Sequence, residues 1–194
     1  MLRVPEELLA HRRKTGEDRW DEMWNGVLHM TPAPSFEHQR MVDELVAFLL
    51  PLVKRTDRGL LRSGVNVCDA PTGWENYRVP DLTFVAAGHE SVVAPDGVRF
   101  GGPDAVVEIR SPDDETYEKL PFFAVLGVRD VVVIDRDTKG VEVFVLAGPN
   151  YVPVAADADG WIASAALGVR LRTASAGPTV QVQDLAEPGV SVEI

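Results

Sequence analysis

Three charged side chains carry the chemistry this sequence could perform: Asp81 in Val79-Pro80-Asp81, Glu108 in Val107-Glu108-Ile109-Arg110-Ser111-Pro112, and Lys119 downstream. Two carboxylates held by neighbouring strands repel one another and stay ionised only beside a cation, which makes them a site for a hard ion such as Mg2+ or Mn2+. An ion of this kind lowers the pKa of a bound water and stabilises charge on a departing oxygen. The expected chemistry is metal-dependent hydrolysis of a phosphodiester.

Strand alternation places Asp104, Val106, Glu108 and Arg110 on one face and Ala105, Val107, Ile109 and Ser111 on the other, while Asp81 and Thr83 share a face of the preceding strand. Pairing those strands with Asp81 near Glu108 brings the carboxylates to roughly the ~5 Å spacing of adjacent strands. Each residue also has an ordinary reading. Asp81 can simply begin a strand, Glu108 can pair with Arg110, and Lys119, four residues after Glu115, fits a surface ion pair worth about 0.2–0.5 kcal/mol. An unpaired carboxylate inside Val107-Glu108-Ile109 would be costly, and that favours a functional role for Glu108. Arg110 keeps its proton, so it can hold a phosphate or lock Glu108 but cannot act as a base. His38 falls in the first turn of a long helix, where capping or packing competes with a catalytic role. Glu22 precedes an Asn25-Gly26 turn and reads as a solvated hairpin residue, and His11, His29 and His89 lack metal-ligand spacing.

The elements that must position these groups are legible in outline. Pro5 with Glu6 and Glu7 opens a short helix to about Lys14, before Gly16. Asn25-Gly26 between apolar residues predicts a two-residue hairpin. Met41, Val42, Leu45, Val46, Phe48, Leu49 and Leu52 predict a core helix starting at Ser35 and ending near Pro51. Strands are expected over Leu60–Ala70, Val79–Ala86 and Asp104–Ser111, then a helix over Asp114–Leu126 with Pro121 near its start. Val131–Asp135 is an apolar run, and strand-helix-strand order implies a parallel crossover. Short antiparallel strands follow around Val141–Val145, Tyr151–Val154, Gly168–Leu171 and Thr179–Val182.

Composition sets the outer bounds. The chain has 194 residues, 45% hydrophobic and 25% charged, as expected for one globular domain. We expect a core over about 17–146 and a β-rich extension over about 147–194. A single cysteine, Cys68, excludes an internal disulfide and any multi-cysteine zinc site, and reads as a packing residue. The N-terminus carries no secretory apolar run and no stretch approaches the ~20 apolar residues of a membrane span, so a cytoplasmic location is expected. Thirty acidic against 19 basic residues give a net charge of −11, which argues against tight nucleic-acid binding over the whole surface. His11–Lys14 and Lys54–Arg58 are the local basic concentrations, each readable as a solvated helix end. No serine elbow, zincin helix, phosphate-cradling Gly-rich loop or dinucleotide fingerprint is present.

These residues together resemble the PD-(D/E)XK nuclease superfamily, in its Uma-type branch of restriction-endonuclease-like proteins. The resemblance rests on Glu22-Met23-Trp24-Asn25-Gly26 with Met30 and Pro32, then His38, Pro80-Asp81, Glu108 to Pro112, Lys119, Phe123, Gly127-Val128 and Asp135. It implies an α/β (α+β) fold, with a restriction-endonuclease-like central mixed sheet flanked by helices, to which the short strands after Val141 add the expected C-terminal antiparallel β extension. It further implies that Asp81 and Glu108 bind Mg2+ or Mn2+, and that Lys119 replaces the lysine usually two positions after the glutamate, where Arg110 stands. Phe123 sits where the branch often has tyrosine, and His38 and Glu22 match family positions. The implied function is an endonuclease acting on nucleic acid, with DNA the expected substrate, no membrane partner and a possible homodimer. The alternatives are an interaction protein that keeps the fold without activity, and hydrolysis of a small phosphoester.

Overall fold

The computed structural model describes residues 5–69 and 73–194. Helix α1 (Glu6–Thr15) follows Pro5 and stops at Gly16, whose φ of 75° lets its amide reach the Arg12 carbonyl. The predicted hairpin is β1 (Glu22–Trp24) and β2 (Val27–His29), with Trp24 opposite Val27. Asn25 and Gly26, at φ of 50° and 80°, supply the two left-handed positions that a tight hairpin requires. Helix α2 (Phe36–Arg55) is capped by Ser35, whose Oγ accepts the His38 amide at 3.2 Å. It runs past Pro51, where the sequence suggested its end. Pro51 is exposed and forfeits one backbone bond, but burial of Leu52 and Val53 holds the last turn on the core.

The expected strand from Leu60 to Ala70 is two strands, β3 (Gly59–Ser63) and β4 (Val67–Cys68), which join different sheets. Gly64, at φ of 57°, turns the chain between them, and Ala70 lies outside the described residues. The strand expected over Val79–Ala86 begins only at Leu82: β5 (Tyr77–Arg78) and β6 (Leu82–Ala86) flank Pro80, which has no amide proton to give a ladder. A hairpin of β7 (Val93–Ala94) and β8 (Gly97–Val98) precedes β9 (Ala105–Arg110). The helix expected over Asp114–Leu126 is shorter: α3 (Leu120–Leu126) has Pro121 in its first turn and is led in only by a 3-10 turn over Tyr117–Lys119. Strand β10 (Asp130–Asp135) then runs parallel to β9, residue for residue from Asp130 opposite Ala105 to Asp135 opposite Arg110. This is the predicted crossover. The remaining strands are β11 (Val141–Ala147), β12 (Asn150–Pro153), β13 (Ile162–Ser164), β14 (Val169–Thr173), β15 (Val180–Asp184) and β16 (Ser191–Glu193).

Among the described residues these strands make a mixed central sheet, β12-β11-β10-β9-β6-β3, a second mixed sheet, β2-β1-β5-β4-β8-β7, and an antiparallel sheet, β13-β14-β15-β16. Strand alternation sorts the central sheet into two cores. Leu82, Phe84, Val107 and Ile109 pack with Leu45 and Leu49 of α2 and with Leu171 and Val182 of the antiparallel sheet. On the opposite face Val85, Val106, Val131 and Val133 pack against Phe122 and Phe123 of α3. Glu108 lies on that second face, in step with Val106.

Candidate active site

The acidic pair is brought together by strand register. Strand β6 pairs antiparallel to β9 with Leu82 opposite Val107, so one further step along both strands sets Asp81 across from Glu108. The ladder has ended there, and the Asp81 carboxylate takes over its bonding: Oδ2 accepts the Ile109 amide at 2.6 Å. The same oxygen lies 3.3 Å from His38 Nε2. His38 therefore does face the site, placed by the capped first turn of α2. Burial pulls its pKa down, but Asp81 outweighs that and leaves it raised. Its Nδ1 is buried with no partner.

The Lys119 side chain, 14% exposed, lies between two carboxylates, and the expected surface pair with Glu115 does not form. Its Nζ is 3.2 Å from each oxygen of Glu108 and 3.0 Å from Glu22 Oε1. The 3-10 turn ahead of α3 aims the side chain back across the end of β9, while Glu115 meets His29 Nδ1 at 2.6 Å. Burial would lower the Lys119 pKa, but attraction from Glu108 and Glu22 raises it overall, so the group remains an ammonium. Burial is also the main force on Glu108 and raises its pKa; Lys119 opposes the shift, and repulsion from Asp81 and Glu22 adds to it. Three carboxyl groups share one ammonium in a dry setting, so their joint ionisation is disfavoured and Glu108 is the one that tends to keep its proton.

Glu22 is the residue that sequence reasoning misplaced. It is 3% exposed and fully engaged: Oε1 accepts the Val79 amide at 2.9 Å, and Oε2 accepts Trp24 Nε1 at 2.8 Å. The hairpin edge it occupies is covered rather than solvated, because Arg78 lies between Trp24 and Phe122, with its guanidinium 4.1 and 4.3 Å from their ring centres. The match of Glu22 to a family position was the signal that could have found it. Arg110 is drawn away from Glu108 by the parallel register that sets it beside Asp135, to which it donates at 2.8 Å. Phe123 is fully buried in the α3 core. The basic concentrations are largely occupied elsewhere, Arg12 by Asp21 and Arg58 by Asp184.

No metal cluster is preassembled: among the described residues no three His, Cys, Asp or Glu side chains converge as a ready ligand set. The donors at hand nevertheless fit a hard divalent ion, which takes oxygen ligands, often only one or two carboxylates, and keeps several waters. Such an ion would relieve the repulsion from Asp81 and Glu22 that disfavours the ionised form of Glu108.

A family model described as "Uma2: Putative restriction endonuclease" matches residues 5–175. The chain belongs to this family. No curated protein matches this Uma2-family chain. Among solved structures it resembles one described as "a putative nuclease belonging to DUF820", from Anabaena variabilis, at 17% identity. The likeness covers 76% of this chain and 82% of that one, with a TM-score of 0.61, and at that identity it speaks to the fold. Family and fold together point to a nuclease. Among the described residues no helix is long and apolar enough to cross a membrane.

Proposed function

We propose that this Uma2-family chain is a metal-dependent endonuclease that hydrolyses phosphodiesters in DNA. The observation that carries the reading is the Lys119 ammonium, 3.2 Å from both Glu108 oxygens at the strand end where Asp81 stands opposite Glu108. Asp81 and Glu108 would hold Mg2+ or Mn2+, and the bound ion would activate a water and neutralise charge on the departing oxygen. The chain's own groups supply the rest. Lys119 brings positive charge to the phosphate, where charge builds as the bond breaks. Glu22 fixes Lys119 from the far side, and His38 holds the Asp81 carboxylate in place. Residues 1–194 act as one domain in this reading.

Incubating the purified chain with plasmid, single-stranded DNA and RNA in Mg2+ or Mn2+ tests the proposal. The expected result is cutting of DNA that is lost in Asp81→Ala and Glu108→Ala. An inert chain, or cutting that Asp81→Ala leaves unchanged, would overturn it. One observation favours a second reading, an interaction protein without activity: Lys119 already engages both oxygens of Glu108. Calorimetry separates the two readings, because Mn2+ binding that disappears in Glu108→Ala requires the carboxylate to exchange its ammonium for the metal.

A further inference from the structure

Beside the carboxylates, on the same face of the central sheet, lies a cleft of about 420 Å³ walled by β3, β6 and the β7–β8 hairpin. This is within the size range of small-ligand sites, about 300–1,000 Å³. Thr83 contributes to its floor; the residue is 3% exposed and its Oγ1 has no hydrogen-bond partner. A buried hydroxyl without a partner is costly, and a ligand atom would satisfy it. Val65, Val93, Pro95 and Val98 make the walls apolar.

Arg62 stands at the mouth, directly across from Thr83 in the β3–β6 register. Its guanidinium donates to the neighbouring Leu61 carbonyl at 2.7 Å, and among the described residues it meets no carboxylate. The acid at the rim, Asp96, is already taken by Arg99 at 3.0 Å. The hairpin wall is held in place: the Val98 amide donates to the Asn66 carbonyl at 2.8 Å, and a Cβ on Gly97 would come within 2.4 Å of that oxygen. Asp81, just before β6, and Thr83 on it are two residues apart, ~6.6 Å along an extended chain, about one step of an extended nucleic-acid strand.

We propose that this cleft receives the unpaired nucleotide next to the bond being cut, with its phosphate on Arg62 and a polar base edge on the Thr83 hydroxyl. The inference rests on the nuclease reading and deepens it, naming single-stranded or locally unpaired DNA as the substrate. Among the described residues no aromatic plate lines the cleft, so the base packs on valine and proline and the site tolerates any base that fits. A duplex, whose bases are stacked and paired, cannot fill it without extruding one.

The test reads binding apart from cutting. Fluorescence anisotropy of a short fluorescein-labelled oligothymidylate, in Mg2+ and in a Glu108→Gln background, should show tighter binding than a duplex of equal length. Adding Arg62→Gln should weaken single-strand binding by about tenfold and flatten its salt dependence by about 0.7 in log–log slope, with Arg62→Lys restoring the slope. Ala94→Trp, which fills the cleft, should abolish the preference for single strands, and the isosteric Thr83→Val should reduce affinity while raising the melting temperature, because it removes the unpartnered hydroxyl. Single-strand binding that ignores Arg62→Gln and Thr83→Val, or no oligonucleotide binding at all, would overturn the inference. The nuclease reading fails separately, on absence of cutting by the unaltered chain, and the anisotropy result stands in either case.

Discussion

Replacing Lys119 by methionine tests whether the ammonium binds the site together. Methionine keeps the stem and removes the charge, so the change isolates the loss of a cation held 3.0 Å from Glu22 and 3.2 Å from Glu108. Both carboxylate side chains are nearly inaccessible, at 4% and 5% exposure, so solvent cannot take over from the lysine. Breaking a buried pair in this way costs about 3–5 kcal/mol. For a chain of 194 residues that corresponds to a fall in melting temperature of about 6–20 °C. The assay is thermal unfolding without divalent ions, at a pH above about 8, where Glu108 is ionised in the native chain. Glu108→Gln added to Lys119→Met removes one stranded charge and should recover a large part of the loss, and that non-additivity is the signature of direct coupling. A drop of less than ~3 °C, about 1 kcal/mol, or a double variant no better than Lys119→Met, would refute the reasoning.

Three further outcomes follow from the same geometry. Burial and neighbouring carboxylates raise the Glu108 pKa from 4.5 to about 8; the native chain therefore holds a proton there that the unfolded chain releases. This contribution is fully present below 4.5 and is lost as pH rises toward 8, so the melting temperature without metal should decline across that window, and decline less in Glu108→Gln. Glu22→Ala strands the Val79 amide and the Trp24 indole N–H, so it should cost about 1–3 kcal/mol in denaturant unfolding and also lower cutting, a result a solvated hairpin residue would not give. Pro51→Ala restores a backbone donor on an exposed turn of α2 and should raise the unfolding free energy, read by denaturant unfolding, by up to the ~3 kcal/mol that an internal proline costs a helix.

Legibility from sequence followed the range of the interactions involved. The Asn25-Gly26 turn, the Ser35 cap and the β9–α3–β10 crossover are set by local backbone preference and apolar patterning, and each stands where the sequence pointed. Asp81 and Glu108 were legible as a pair because alternation within strands fixes faces and a single register joins them. Glu22 and the partner of Arg110 were not legible. The burial of Glu22 depends on Arg78 and Trp24 closing over a hairpin, and Arg110 finds Asp135 only through a parallel register spanning a helix. The end of α2 was misplaced because tertiary burial of Leu52 and Val53 outweighs the local preference of Pro51. The division of Leu60–Ala70 depended on which sheet each half joins, and valine content does not encode that.

Glu22 hangs from the sheet that begins with the hairpin, whereas Glu108 belongs to the central sheet, and a single ammonium fastens the two. Lys119 is in this sense a clasp whose tension depends on how far the sheets stand apart. If the smaller sheet loosens, the Glu22 contact opens while the ladder carrying Glu108 stays closed, and Lys119 is left to one acid instead of two. The charge balance at the carboxylates would then change before the fold itself gives way, so warming or denaturant would detune the site ahead of global unfolding.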